Sequence, residues 1–172
     1  MNYKVKCLNA SIKINFAKMY NDVKIPTKRD EDAGFDIYAR FEEDYICIPP
    51  HETKLIPTGL ISACDKGYYF QLFERGSTGT KGIAQRCGVI DSGYRDEWFI
   101  PITNTTNNYL YITKKDVLLN TSTNSIIYPY EKAICQAVIL PVPKTEVQEL
   151  TIEEIKNIKS LRGEGKLGSS NK

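Results

Sequence analysis

The chain is poor in histidine, with His51 alone among 172 residues. A single imidazole argues against a Ser-His-Asp triad and against a His-rich metal cage. Hydrolytic chemistry here must rest on carboxylates, hydroxyls, arginine or an oxygen-ligated metal. Pro49-Pro50-His51-Glu52 also reads as a turn, which puts that histidine at the surface. Paired cysteines are missing as well. Cys7, Cys47, Cys64, Cys87 and Cys135 are odd in number, scattered and never spaced C-x-x-C. That argues against a disulfide frame or a zinc site and for free thiols in a reducing cytoplasm. Most read as small core residues, and Cys87 stands where it could line a site. An excess of one charge is absent too: 23 Lys and Arg against 21 Asp and Glu leave +2. Without a basic stripe, nucleic-acid polymers and membranes are poor partners. No apolar run nears membrane-spanning length, and Met1–Lys6 lacks the apolar stretch of a signal peptide.

What the chain does have is short strands. Runs at 3–8, 35–39, 45–48, 53–57, 60–62, 68–73, 83–90, 98–103, 110–113, 125–128 and 133–141 are rich in β-branched and aromatic residues. Gly, Pro and charged turns separate them. Many short strands at regular spacing predict a sandwich, barrel or jelly roll. The segment 10–21 fits neither the helix nor the strand period. One helix is predicted over 152–160, where Thr151 and Glu154 form a capping box and Ile152, Ile155 and Ile158 share a face. The last residues, Arg162 to Lys172, hold three glycines with arginine and hydroxyls. Such a tail suits a flexible arm that wraps phosphate on binding.

Five segments carry chemistry. In Asp32-Ala33-Gly34-Phe35-Asp36, Gly34 permits close backbone approach and Asp36 sits inside an otherwise apolar strand. Such an aspartate needs a partner: a hydrated Mg2+, a cross-chain arginine or a purely structural donor. Glu74-Arg75-Gly76-Ser77-Thr78-Gly79-Thr80-Lys81-Gly82 is a Gly-rich loop whose backbone N–H groups could cradle phosphate, without the Walker A order. Gly88-Val89-Ile90-Asp91-Ser92-Gly93-Tyr94-Arg95 brings a carboxylate to a tight turn with a tyrosine behind it, and reads as a β-hairpin. Gln136 is a polar residue within a long apolar strand, either exposed or offered to a ligand. The glycine-rich tail is the fifth segment.

In this order and spacing, the five segments resemble the trimeric deoxyuridine triphosphatase family. The resemblance spans Asp32 to Ser170. It implies an all-β fold, a distorted jelly-roll β-barrel over 1–161, with a short C-terminal helix and a flexible arm over 162–172. It further implies a cytoplasmic homotrimer with shared active sites that converts dUTP to dUMP and pyrophosphate with Mg2+. By the family pattern, the backbone of Gly88, Val89 and Ile90 would hold uracil, with Gln85 where many relatives have an asparagine. Tyr94 would pack under deoxyribose, and Asp91 would activate water toward the α-phosphorus. Asp36 would act through the water shell of Mg2+. Arg75, Gly76, Ser77 and Gln136 would contact phosphates. Arg162, Gly168, Ser169 and Ser170 would clamp them, and Leu167 would cover the base.

Three departures from the pattern stand out. Glu74-Arg75-Gly76-Ser77 replaces the usual Pro-Arg-Ser-Ser, so either the Gly76 N–H or Ser77 must stand in for a serine. Gly165-Lys166-Leu167-Gly168 replaces Gly-Gly-Phe-Gly, so no aromatic ring covers the base. The stretch 113–130 is longer than in compact relatives and reads as an insert, with a hairpin over 117–128. Two other functions compete. A dCTP deaminase would need a glutamate in the strand after the hairpin, and 98–103 has no carboxylate. A dUTP-binding regulatory protein would keep the pocket and signal to a partner.

Overall fold

A computed structural model of the chain describes residues 11–86, 88–114, 124–161 and 163. The chain divides into two units, Met1–Val142 and Pro143–Lys172. The boundary expected at 161/162 falls inside the second of these.

The first unit is almost entirely β, as the period-2 runs predict. Its strands are β1 (Ile14–Lys18), β2 (Phe35–Ile37), β3 (Tyr45–Ile48), β4 (Thr53–Pro57), β5 (Leu60–Cys64) and β6 (Tyr68–Phe73). After the single turn of helix α1 (Gly76–Gly79) come β7 (Ile83–Gln85), β8 (Val89–Asp91), β9 (Phe99–Asn104), β10 (Leu110–Thr113), β11 (Ile126–Pro129) and β12 (Cys135–Pro141). They form four small sheets in the orders β1-β5, β11-β10-β3, β2-β12-β6-β8 and β4-β9-β7. Together they make the distorted jelly roll.

The core is aromatic at its centre. Trp98 is fully buried, with ring centroids 5.1 Å from Phe70 and 5.9 Å from Phe16. Its indole N–H donates to Ser62 Oγ at 3.2 Å. That bond satisfies the one polar atom such a ring brings inside. Ile56, Ile100, Ile102 and Leu110 pack in the same cluster, all fully buried. The 10–21 segment resolves into β1, antiparallel to β5 with Ile14 opposite Cys64. Ile14 and Phe16 alternate inward over too few residues for the period to show in sequence.

Several expectations are corrected. The run 83–90 is two strands: β7 pairs with β9, and β8 pairs with β6. The segment 88–95 is therefore no hairpin between β8 and β9. A turn closed by Tyr94 N–H donating to Asp91 O at 3.1 Å carries the chain from one sheet toward another. The Gly-rich loop at 76–79 is the helical turn α1, held by Thr78, whose hydroxyl donates to Arg75 O at 2.8 Å. Residues 126–128, expected in an inserted hairpin, belong to β11. That strand runs parallel to β10, and its Tyr128 is buried in the core. A parallel pair needs a crossover rather than a tight turn. Positions 115–123 lie outside the described residues, as does the expected strand 3–8.

In the second unit, α2 (Ile152–Asn157) has the predicted capping box: Thr151 Oγ1 accepts from Glu154 N–H, and Glu154 Oε2 accepts from Thr151 N–H at 2.7 Å. The helix stops at Asn157, short of 160, because Ile158 is already extended. None of its residues is buried, so its apolar face adds no packing that would extend it. No helix among the described residues is long and apolar enough to cross a membrane.

Candidate functional site

Strand pairing brings three of the predicted residues into one cleft. Gln136 on β12 lies directly opposite Asp36 on β2. Arg75 follows β6 and reaches back to them. Its Nε is 3.1 Å from Asp36 Oδ1, and its Nη2 donates to Asp36 Oδ2 at 3.5 Å. Asp36 thus has its arginine partner, within the same chain. The third Arg75 nitrogen, Nη1, donates to Ala133 O at 3.3 Å, which also accepts the Tyr128 hydroxyl at 2.6 Å. Burial pushes the Tyr128 phenol above its ordinary pKa, and Arg75 beside it partly offsets this. The guanidinium is consequently held by a buried framework rather than waving in solvent.

Gly34 is glycine for a local reason. A Cβ there would stand 2.9 Å from Gln136 Oε1 and 3.1 Å from Gln136 Cβ. Gln136 in turn donates its amide to Glu74 O at 3.0 Å. The resulting cleft has a volume of about 660 Å3 and is lined by Lys28, Arg29, Asp32, Asp36, Arg75 and Gln136 among others. Arg29 and Asp32 form a bidentate pair on its rim, at 2.8 and 2.9 Å. The Arg29 hydrogen bond holds the Asp32 carboxyl below its usual range. Gly76 has open space where a Cβ would be, so sterics do not explain the loss of a serine there. Ser77 is exposed on α1.

The segment 88–94 stands elsewhere on the same sheet. In the order β2-β12-β6-β8, β8 is the edge strand. One side of β8 is bound to β6: Leu72 N–H donates to Gly88 O at 2.8 Å, and Val89 and Asp91 face Gln71 and Tyr69. Its other side has no strand neighbour among the described residues. An edge strand presents a row of N–H and C=O groups to whatever adds beside it. Ile90 points into the core, whereas Val89 and Asp91 are exposed. Tyr94 is 39% exposed, and its hydroxyl donates to Glu97 O at 2.9 Å. Gln85 ends β7, and its N–H donates to Glu74 Oε1 at 3.1 Å.

The registers give the separation of the two groups. Asp36 and Gln136 share a row with Phe73 of β6, whereas Asp91 lies opposite Tyr69. Three strand spacings and four residues of rise put Asp36 and Asp91 roughly 15–20 Å apart within one chain. Both belong to the outward face, because 69, 71 and 73 alternate with the buried Phe70 and Leu72. Gln71 was not singled out from sequence. Its side-chain amide lies beside Gly88, where an added Cβ would be 3.4 Å from Nε2. The alternation Phe70-Gln71-Leu72 was the signal for it. Arg162 and Leu167, Gly168, Ser169 and Ser170 lie outside the described residues, as does Cys87. Cys47 and Cys64 are free thiols, and Cys135 is buried.

Comparison with known proteins follows the same residues. The dUTPase family model matches residues 21–118. A deoxyuridine 5′-triphosphate nucleotidohydrolase of Nautilia profundicola is 33% identical, covering 94% of this chain and 100% of its own length. That of Candida albicans is 30% identical over 87% of this chain and 82% of its own. In structure, a Staphylococcus bacteriophage 80alpha dUTPase with dUPNHPP superposes with a TM-score of 0.73 at 24% identity, covering 93% of this chain and 99% of that one. The dUTPase of phage phi11, whose structure concerns coordination of a structural Mg(II) ion, gives 0.64 at 20% identity, over 80% and 96%.

Proposed function

Because this chain belongs to the dUTPase family, we propose that it hydrolyses dUTP to dUMP and pyrophosphate at a site completed by further copies of itself. Curated relatives at 30–33% identity over most of the chain support the reaction. The observation that carries the reading is the arrangement of the outward sheet face. It has a polar cleft of about 660 Å3 with a fixed arginine at one corner and an edge strand leading to Asp91 and Tyr94 at another.

The edge strand suits a pyrimidine. The segment Gly88-Val89-Ile90 holds the base through the backbone groups that β6 does not use, Gly88 O being already bonded to Leu72 N–H, in a donor and acceptor pattern that uracil matches and cytosine does not. A site of fixed polar groups rejects the wrong ligand by about 10⁴ or more, since mismatched groups stay unpaired. Gln85 extends toward the base. Tyr94 offers a ring for deoxyribose, and Asp91 takes a proton from the water that attacks the α-phosphorus. The pyrophosphate leaves with its charge met by Arg75, Gln136 and the Gly76-Ser77 turn. From the arm, Arg162, Gly168, Ser169 and Ser170 close over the phosphates, and Leu167 covers the base.

A separation of roughly 15–20 Å is too long for Asp36 and Asp91 to serve one α-phosphate from one chain. A homotrimer in which one copy's Asp91 faces another's Asp36 and Arg75 removes the discrepancy.

The residues fit Mg2+ carried on the substrate phosphates, not a protein cage. Both Asp36 oxygens face Arg75, and no group of three or more His, Cys, Asp or Glu gathers among the described residues. Asp36, half-exposed, would touch the ion through water, and the ion would supply charge neutralisation on the phosphates. The phi11 relative's Mg(II) supports a metal in this family. A deaminase reading is disfavoured by Glu97, whose carboxylate accepts from Thr58 N–H at 3.1 Å and Gly59 N–H at 2.7 Å and so is not free to shuttle protons.

The test is pyrophosphate release from dUTP, UTP, dTTP and dCTP, with and without Mg2+. Release from dUTP alone, strongest with Mg2+, is expected. Equal rates on all four, or none on dUTP, would sink the reading.

A further inference from the structure

The segment that follows the Asp91 turn is sewn to the β4–β5 connection at several points. Arg95 is exposed, yet its Nη1 lies within hydrogen-bond distance of three carbonyls: Ser92 at 2.6 Å, Tyr94 at 2.8 Å and Ser62 of β5 at 3.3 Å. Two of those carbonyls belong to the turn itself, and the third to a strand of another sheet. Glu97 is buried, and its Oε1 accepts both the Thr58 and Gly59 N–H groups. Its own carbonyl accepts the Tyr94 hydroxyl at 2.9 Å. Trp98 N–H then donates to Leu60 O at 2.9 Å, and Thr58 Oγ1 to Trp98 O at 2.7 Å.

The anchor is stiff. Gly59 has φ +67°, and a Cβ there would meet Val23 Cγ2 at 2.5 Å, so this connection has one backbone path. By contrast, the turn itself is closed by one backbone bond among the described residues, Tyr94 N–H to Asp91 O. Without Arg95 and Glu97, little would fix where the ring of Tyr94 and the carboxylate of Asp91 stand.

We propose that Arg95 and Glu97 are positioning residues: they clasp the Asp91–Tyr94 turn to β5 and to the β4–β5 connection, respectively, and thereby set discrimination between deoxyribose and ribose triphosphates. This rests on the reading of Tyr94 as the platform under the sugar. Arg95 touches no reacting atom. Its effect passes through the two carbonyls that flank Tyr94 and through the Ser62 carbonyl that ties them to the barrel. Glu97 acts at the other end, holding the acceptor to which the Tyr94 hydroxyl is bonded.

The experiment compares kcat/KM for dUTP and for UTP in the full chain, in Arg95→Ala and in Arg95→Lys, with thermal melting as the control for folding. The Ala variant should melt cooperatively and lose at least about tenfold of the dUTP-over-UTP ratio, since small misplacements of a positioning group cost that much. The Lys variant should fall between it and the unmodified chain, because an ammonium keeps the charge and three donors but sits on a flexible stem without the planar, pre-organised fork of arginine. A ratio unchanged in Arg95→Ala overturns the proposal. If Arg95→Ala does not fold, a ratio unchanged in Arg95→Lys does so. An unmodified chain with no preference for dUTP overturns the underlying reading of the site as well.

Discussion

Asp36 and Arg75 neutralise one another in a cleft proposed to take a triphosphate. The pair orients the guanidinium through Nε and Nη2, and the remaining nitrogen, Nη1, donates to Ala133 O. Positioning of this kind is what phosphoryl chemistry asks of a protein. Asp91, proposed as the base, has no ion-pair partner among the described residues. Asp91→Asn should bind a non-hydrolysable dUTP analogue nearly as well as the parent and lose about 10²-fold or more of kcat, the usual worth of a general base. Calorimetry and steady-state kinetics on the same preparation check this. A surviving kcat would remove Asp91 from the role of base. Gly34→Ala acts by contact alone. The new Cβ would lie 3.1 Å from Gln136 Cβ, which is not a flexible chain end, so Gln136 must move. KM for dUTP should rise about three- to tenfold with kcat less affected. An unchanged KM would show that Gln136 does not hold substrate.

At the scale of elements, β8 matters for being an edge. Were it flanked on both sides, its backbone would have nothing to give a base. The second unit carries its own local device, the Thr151–Glu154 capping box. The Thr151 N–H and hydroxyl hold the Glu154 carboxyl below its ordinary pKa. A depressed carboxyl contributes stability above its unfolded pKa and loses it as pH falls through the folded one. The helix start should therefore hold at neutral pH and loosen only in acid, below the ordinary glutamate range. An NMR titration of the Glu154 carboxyl reads this directly, and a midpoint at or above the ordinary value contradicts it. Strand content was legible wherever period 2 ran for four or more residues, as at 45–48, 53–57 and 68–73. β1 hid because only Ile14 and Phe16 mark it. The break between β7 and β8 hid because apolar composition continues through 83–90 while the pairing partner changes. Pairing is a long-range fact, and no local pattern encodes that β8 joins β6 or that β11 runs parallel to β10. The residues assigned to the proposed site were singled out one by one through motif order. Gln71, Glu97 and the Ala133 carbonyl were not, because their parts depend on neighbours remote in sequence.

At the scale of the whole molecule, the proposed site needs more than one chain. Truncation after Leu161 should abolish most dUTP turnover while light scattering still reports the intact oligomer. Unchanged activity would remove the arm from the site. The central claim is that separated halves of the site, Asp36 with Arg75 and Asp91 with Tyr94, meet across copies to hydrolyse dUTP. Co-refolding equal amounts of Asp36→Asn and Asp91→Asn, each nearly inactive alone, tests it most directly. If each site takes its two aspartates from different copies, random mixing in a closed ring makes about one site in four intact. Pyrophosphate release from dUTP should then recover to about a quarter of the unmodified enzyme's rate. A mixture no more active than the two variants measured apart would contradict the account.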